Sequence, residues 1–255
     1  MRLAGKRALV TGGGRGIGQG IVLAFAREGA DIAIDYVGNA AAAEQTRAEV
    51  EKLGRRVVVV QADVSVPSET QKLIGASLEA FGSLDILVNN AGIERRAPFL
   101  EITEKDYRAV IDVDLTGPFF LTQAFVRHLR QTSRPGKIIN ISSVHEELPF
   151  PHFTPYCMAK GGLKMMMRNL AIELGDCGIT VNNIAPGAIE TPINRNLLND
   201  PRKLSALKAN IPMRRLGQTA DVAGVAVFLA SPAADYVTGA TVVVDGGLLW
   251  NYSEQ

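Results

Sequence analysis

A doubly wound α/β fold is predicted by three features of the sequence. Apolar, β-branched runs at Arg7–Thr11, Ile32–Tyr36, Val57–Gln61, Leu84–Asn89, Lys137–Ser142, Ile179–Ala185 and Thr241–Asp245 alternate with longer segments of helical periodicity. Strands alternating with helices imply parallel pairing, with helices on both faces of the sheet. The runs are continuously apolar, as strands covered on both sides must be. A glycine-rich turn, Thr11-Gly-Gly-Gly-Arg-Gly-Ile-Gly18, stands between the first run and the first helical segment. Together these predict one Rossmann-type domain over residues 1–255, with a seven-stranded parallel sheet. No Pro/Gly/Ser linker or charge block divides it.

The first helix, Ile17–Glu28, opens on the glycine turn. Glycines let the backbone turn sharply and approach a pyrophosphate, while the helix start offers unpaired N–H groups and a positive dipole end. Gly12, Gly14, Arg15, Gly16, Ile17 and Gly18 are therefore candidate dinucleotide contacts. Asp63, in Ala62-Asp-Val-Ser65 after the third run, is a candidate helix cap, because a helical run starts at Ser65 or Ser68 with Glu69 nearby. Asn89-Asn-Ala-Gly92 ends the fourth run. Asparagine and glycine suit a plain turn, and equally a polar lining at the carboxyl edge of the sheet. A helix is predicted from about Asp106 to Arg130. Another covers Tyr156 to Gly175, which has no proline and carries Leu163, Met166, Met167, Leu170 and Leu174 at helical spacing. Pro186 to Pro212 is too long for an ordinary connection and is read as an irregular flap over a site. Helix Ala220–Ser231, with Asp221 near its start, reads as a packing helix.

The chemistry is expected at Ser143, Tyr156 and Lys160. Tyr156 and Lys160 are four residues apart and share a helix face. A free tyrosine titrates near ~10, too high for ready proton exchange at neutral pH. One positive charge ~6 Å away at an effective dielectric of ~20 supplies roughly 2.7 kcal/mol, enough to bring it to ~8. Ser143, at the end of the fifth run, is placed to bind the oxygen that the phenol protonates.

Bulk properties exclude several classes. A hydrophobic share of 47% with 21% charged residues is ordinary for a globular chain and excludes a mostly disordered one. The net charge of +1 gives no reason to expect nucleic acid or an anionic membrane as partner. The chain enters a strand without a signal-peptide pattern, and apolar runs such as Val222–Ala230 are too short to span a bilayer. Cys157 and Cys177 form neither C-x-x-C nor a metal spacing, and His128, His145 and His152 are not spaced as ligands, so no metal is expected. The reading is a cytoplasmic protein acting on a small molecule.

With Ser143, Tyr156 and Lys160 at these spacings, Gly-x-x-x-Gly-x-Gly from Gly12 to Gly18, and Asn89-Asn-Ala-Gly92, the chain resembles the short-chain dehydrogenase/reductase family. The resemblance implies hydride transfer with NAD(P), Tyr156 as base or acid, Ser143 holding the substrate oxygen, and Lys160 binding the nicotinamide ribose. It places Asp63 and Val64 at the adenine, Asn90, Ala91 and Gly92 beside the ribose, and Pro186, Gly187, Ile189 and Thr191 at the nicotinamide. Tyr36 falls where NAD-preferring relatives carry aspartate, Asp35 is turned away by strand alternation, and Arg15 is placed to meet a 2′-phosphate. Val37 stands where NADP-using relatives often have a basic residue, so both cofactors are expected to work, with NADP favoured. Asp114-Leu-Thr-Gly117 replaces the family's Asn-Leu-x-Gly. A carboxylate there is expected to attract Lys160, weaken its effect on Tyr156 and move the optimum to alkaline pH. Relatives pair through the Asp106–Arg130 and Tyr156–Gly175 helices, implying a homotetramer in which Met165, Met166 and Met167 serve core and interface and Leu248–Tyr252 docks on another subunit.

Ser142-Ser-Val-His-Glu146, Pro149, Pro151, Glu94 and the stretch Pro186–Asn194 are similar to bacterial glucose 1-dehydrogenases. By that analogy Glu94 and His145 contact a sugar, while Glu146, Glu147 and His152 are weaker candidates for that contact, with a solvated rim position as their alternative. Arg95 and Arg96 fit a neutral sugar poorly, and they support a second reading as a carbonyl reductase for 3-oxoacyl thioesters. Asp114 motivates a third, a nucleotide-binding regulator without catalysis.

Overall fold

The computed structural model describes residues 1–192 and 200–251. The elements are β1 (Arg7–Val10), α1 (Gly16–Arg27), β2 (Asp31–Tyr36), α2 (Ala40–Lys52), β3 (Val57–Gln61), α3 (Pro67–Phe81), β4 (Ile86–Asn89), α4 (Glu104–Ile111), α5 (Gly117–Gln131), β5 (Gly136–Ile141), α6 (Thr154–Glu173), β6 (Ile179–Pro186), α7 (Pro201–Asn210), α8 (Thr219–Ala230) and β7 (Thr241–Val244). All seven strands pair parallel in the order β3-β2-β1-β4-β5-β6-β7. Strand order therefore reverses between β1 and β4, which is where a doubly wound sheet opens a crevice at its carboxyl edge.

Alternate side chains of each strand feed two cores. On one face Val10, Ile34, Val88 and Ile139 pack with Ile21 and Phe25 of α1 and Val222 and Ala226 of α8. On the other, Leu9, Leu87, Ile138 and Val181 pack with Leu73 of α3, Phe125 of α5 and Met167 of α6. The helical stretch Glu104–Gln131 is long and apolar enough in composition to cross a bilayer. Here Leu121, Phe125 and Leu129 bury one face of it against the sheet.

A polar row crosses this second face. Asn89, Asn140, Asn183 and Thr241 are register partners on β4, β5, β6 and β7. Asn89 Nδ2 donates to Asn140 Oδ1 at 2.8 Å, and Asn140 Nδ2 donates to Asn183 Oδ1 at 2.9 Å. Asn183 Nδ2 donates to Glu146 Oε2 at 3.1 Å. Each strand thus contributes one polar group to an otherwise apolar layer, and buried amides tolerate this because they satisfy one another.

The expected continuous helix from Asp106 to Arg130 is interrupted by a π-turn, Asp112–Thr116. Pro118 has no N–H for the carbonyl of residue 114 and its ring crowds that carbonyl, so the regular ladder breaks one turn before it. The break turns Asp114 fully into the interior. The flap expected from Pro186 to Pro212 is not irregular throughout: α7 occupies Pro201–Asn210, capped by Asp200 Oδ1 on the N–H groups of Arg202 and Lys203. The Ile193 and Asn194 part of that stretch lies outside the described residues. Asp63 does not cap α3. It accepts from Ser65 N and Oγ at 2.9 and 2.6 Å, while Val66 holds the cap position and Pro67 starts the helix.

Asp35 ends β2 on the face away from Tyr36, as alternation requires. Its Oδ2 accepts from Gly12 N at 3.2 Å and its Oδ1 is buried without a hydrogen-bond partner. Burial pushes the carboxyl up to about 7, with Asp63 and Glu69 adding to the rise. The folded chain therefore keeps a proton that the unfolded chain releases near its ordinary pKa of about 4, and this contribution to stability is lost as pH rises from about 4 through about 7.

Two outcomes are expected. Asp35→Asn keeps an acceptor for Gly12 N without needing a proton, so its gain in Tm over the parent grows between about pH 4 and about pH 7. A gap constant with pH would show Asp35 ionised throughout. Asn140→Ala strands the Asn89 donor and the Asn183 acceptor, costing about 2–4 kcal/mol in urea unfolding.

Candidate active site

The cleft at the carboxyl edge has a volume of about 960 Å³, the size of sites that enclose small molecules. One end is built by the glycine turn. Gly12 and Gly16 adopt φ values of +60° and +58°, in the left-handed region that a side chain disfavours. Arg15 precedes α1 in extended conformation, and the first turn of that helix has no acidic residue, leaving its N–H groups open to an anion. Asn90 Nδ2 donates to the carbonyls of Thr11 and Gly12 at 2.8 and 3.3 Å, while Thr11 Oγ1 accepts from Asn90 N and Ala91 N, both at 2.9 Å. These bonds lock the turn to the end of β4. A Cβ on Gly16 would meet Thr191, so the turn also abuts the start of the flap.

Gly12, Gly14, Arg15, Gly16, Ile17, Tyr36, Asp63, Val64, Asn90, Ala91, Gly92, Pro186, Gly187, Ile189 and Thr191 all line the cleft. Gly18 does not. A Cβ there would lie 2.4 Å from the Gly12 carbonyl and 2.5 Å from Asn90 Nδ2, so Gly18 serves the close packing of α1 beneath the turn. The cradle of tight glycines, an open helix start and polar groups in the order described fits a dinucleotide. Sequence reasoning missed Gly38 and Asn39, which line the same end; Asn39 Oδ1 accepts from Ala42 N to cap α2. An asparagine directly before an alanine-rich helix was the available signal.

Ser143, Tyr156, Lys160, Asp114, Glu94 and His145 converge at the other end. Ser143 lies two residues beyond β5 and caps a 3₁₀ turn, Val144–Glu146, its Oγ accepting from His145 N at 3.1 Å. Its hydroxyl and the phenol of Tyr156 both line the cleft. Lys160 is buried, donates to the Ile141 carbonyl at 3.2 Å, lies 5.3 Å from the centre of the Tyr156 ring and stands 3.1 Å from Asp114 Oδ2. The last contact is an ion pair without hydrogen-bond alignment. Asp114 Oδ1 accepts from Ile93 N at 2.8 Å. Gly92 leaves the room, since a Cβ there would come within 3.0 Å of Asp114 Oδ2.

The electrostatics correct one expectation. Desolvation raises Tyr156 above its ordinary pKa, and Glu94 and Asp114 add to the rise. Lys160 and the Ser143 hydrogen bond pull it down without prevailing. Lys160 itself is held high: burial opposes its charge, but Asp114 and then Tyr156 outweigh that cost. Glu94 is raised by desolvation and by Asp114.

The substrate end is otherwise apolar. His145 is stacked on Phe150 at 4.2 Å and 3°, Phe150 on Phe153 at 4.1 Å and 5°, and His145 meets Tyr156 edge-on at 6.3 Å. Leu148, Pro149, Phe150, Leu207 and Leu248 line the cleft around them. Leu248, from the tail expected to dock on another subunit, lines this cleft, while Trp250 is exposed and Tyr252 lies outside the described residues. The Nδ1 of His145 is 3.0 Å from the Leu148 carbonyl, and desolvation holds the ring below its ordinary pKa. Arg95 and Arg96 are exposed and do not line the cleft. Glu146, expected at a solvated rim, is buried, because it terminates the polar row. Glu147 pairs with Lys164 at the surface, and His152 is exposed.

Comparison with known proteins agrees with this geometry. The family model described as Enoyl-(Acyl carrier protein) reductase matches residues 12–249. The chain is 42% identical over 246 residues to 3beta-hydroxysteroid dehydrogenase 1 of Eggerthella lenta, covering 96% of this chain and 94% of that one. It is 40% identical over 247 residues to glucose 1-dehydrogenase 2 of Bacillus subtilis, covering 96% and 95%. The structure of a gluconate 5-dehydrogenase from Burkholderia cenocepacia, in complex with NADP and tartrate, superposes with a TM-score of 0.93 at 39% identity, covering 98% of each chain. The chain therefore belongs to the short-chain dehydrogenase/reductase family, NAD(P)-dependent oxidoreductases acting on CH–OH groups.

Proposed function

We propose that this enzyme oxidises the C1 hydroxyl of glucose or a related aldose, using NADP in preference to NAD. The observation that carries the substrate class is the pairing of Glu94 and His145 beside the serine–tyrosine–lysine cluster. With Nδ1 donating to the Leu148 carbonyl, the outer nitrogen of His145 is an acceptor, and Glu94 is an acceptor when ionised. A sugar has hydroxyl donors for both. The stacked rings of His145 and Phe150 give its C–H face an apolar wall.

Ser143 donates to the C1 oxygen and Tyr156, as phenolate, takes its proton. Lys160 holds the phenolate by charge and the nicotinamide ribose by hydrogen bonds, and Asp114 fixes where that ammonium points. A nicotinamide held there by Ile189 and Thr191 would supply the hydride acceptor for C1. Gly12, Gly14, Gly16 and Ile17 would hold the pyrophosphate, Arg15 and Tyr36 the adenosine 2′ side, and Ile189 and Thr191 the carboxamide. Asp35 supports the NADP preference by facing Gly12 rather than the cleft.

A second reading has its own observation. The apolar lining from Leu148, Pro149, Phe150, Leu207 and Leu248 suits a larger alicyclic alcohol, the class named for the Eggerthella lenta relative. The 3-oxoacyl thioester alternative loses its support, since Arg95 and Arg96 lie outside the cleft. We also propose a homotetramer pairing through α5 and α6, whose outer faces leave Phe119, Met165 and Ile172 exposed while Met167 is core. Cys157 and Cys177 are free, in keeping with a cytoplasmic enzyme.

Reduction of NADP with a panel of aldoses, run beside alicyclic alcohols, tests the reading; turnover of alicyclic alcohols alone would favour the second. Tyr156→Phe should lower kcat at least about a thousandfold with nucleotide affinity kept, and undiminished turnover would remove Tyr156 as the base. Asp114→Asn takes away a charge that raises Tyr156. Its acidic limb in kcat against pH should therefore move to lower pH, and an unmoved limb would show that Asp114 does not act on Tyr156.

A further inference from the structure

We propose that Glu146 is a positioning residue that fixes the separation between Ser143 and Tyr156. The proposal rests on the reading of Tyr156 as base with Ser143 beside it. The side chain of Glu146 is 2% exposed, and donors surround it. It accepts from Ser142 Oγ at 2.6 Å, Asn183 Nδ2 at 3.1 Å and Thr241 Oγ1 at 2.8 Å, and it pairs with Lys164 Nζ at 3.6 Å. Ser142 directly precedes Ser143, and Glu146 N donates to the Ser143 carbonyl at 3.0 Å. One residue therefore grips the serine turn from both sides.

The other contacts reach what the turn must be aligned with. Asn183 and Thr241 belong to β6 and β7, which cannot shift without breaking the polar row. Tyr156, Lys160 and Lys164 stand one helical turn apart along α6. The Glu146–Lys164 pair thus joins the helix that carries the phenol to the turn that carries the hydroxyl. A buried ion pair adds little net stability because desolvation opposes it, and its best-attested use is to fix one arrangement among several. Here that arrangement is the distance across which two hydroxyls share a substrate oxygen.

The sign of one measurement separates positioning from simple charge. The hydrogen bond from Ser143 lowers the pKa of Tyr156, so displacing Ser143 raises it. Removing the negative charge of Glu146 would lower it instead, with Lys164 left paired to Glu147 alone. Glu146→Gln keeps the shape and removes the charge. Its tyrosinate difference spectrum is followed against pH, with Tyr156→Phe in the same background as blank. We expect Tyr156 to titrate about one pH unit higher than in the parent. We expect kcat to fall about tenfold or more, with KM and NADPH affinity within about twofold. An unmoved or lower titration overturns the proposal, whatever happens to the melting temperature. If Glu146→Gln does not fold, Thr241→Val decides: it removes one hydrogen bond and no charge, and must give a smaller shift of the same sign. The titration needs no substrate, so a wrong substrate class would show as absent turnover in the parent and leave this result readable.

Discussion

Parallel pairing of β1 with both β2 and β4 is the constraint from which the rest of the molecule follows. Successive crossovers must lie on opposite faces of the sheet on either side of that pair, so their loops diverge and leave a crevice at the carboxyl edge. Everything chemical then collects there because the strands all end there. The glycine turn leaves β1, Asp35 and Tyr36 end β2, Asn90 to Gly92 leave β4, Ser143 leaves β5 and Pro186 ends β6. The side-chain alternation of β2 has a direct consequence. It sends Tyr36 to the cleft and Asp35 beneath the glycine turn, so one strand end both lines the cleft and supports the backbone of that turn.

The same sheet explains how a polar catalytic cluster is kept in place on an apolar scaffold. Hydrophobic contacts are non-directional and leave small displacements inexpensive, whereas a hydroxyl and a phenol that share one oxygen must be held within fractions of an ångström. The row from Asn89 through Asn140 and Asn183 to Glu146 adds direction to the layer between sheet and helices. The amide-to-amide bonds all run toward Glu146, and Glu146 sits three residues beyond Ser143. Ion pairing with Lys164 carries the same order to α6, on which Tyr156 and Lys160 ride.

What was legible in the sequence was whatever depends on local pattern. Continuous Val/Ile runs gave all seven strands to within two residues at either end, and the glycine turn gave the cofactor end of the cleft. Misreadings arose where a residue's role is set by distant partners. Gly18 reads as a phosphate contact by spacing, yet the Gly12 carbonyl and Asn90 decide its place. Glu146 reads as a rim residue because charged side chains usually are, and only the meeting of β5, β6, β7 and α6 reveals its donors. The π-turn at Asp112–Thr116 was hidden because Leu121, Phe125 and Leu129 keep a regular helical stripe on either reading, although Pro118 was a signal in plain view.

The charge on Lys160 shows how such a distant partner changes chemistry rather than fold. A lone ammonium near a phenol lowers its pKa, and that two-body estimate brings Tyr156 close to neutrality. Within the protein the ammonium is shared: Asp114 stands 3.1 Å away as an ion pair, and the Ile141 carbonyl accepts a hydrogen bond from it. The carboxylate that keeps Lys160 charged also screens it from the phenol, while desolvation and Glu94 press Tyr156 toward its neutral form. The two requirements oppose each other, since an unpaired buried ammonium would be costly and a fully paired one is a weak activator. Placing Asp114 at the π-turn shifts the balance toward a charged lysine, although burial raises the pKa of Asp114 as well. Under the proposed mechanism, a Tyr156 held above its ordinary pKa acts as base only on the alkaline side, where oxidation of an alcohol, which releases a proton, is thermodynamically favoured.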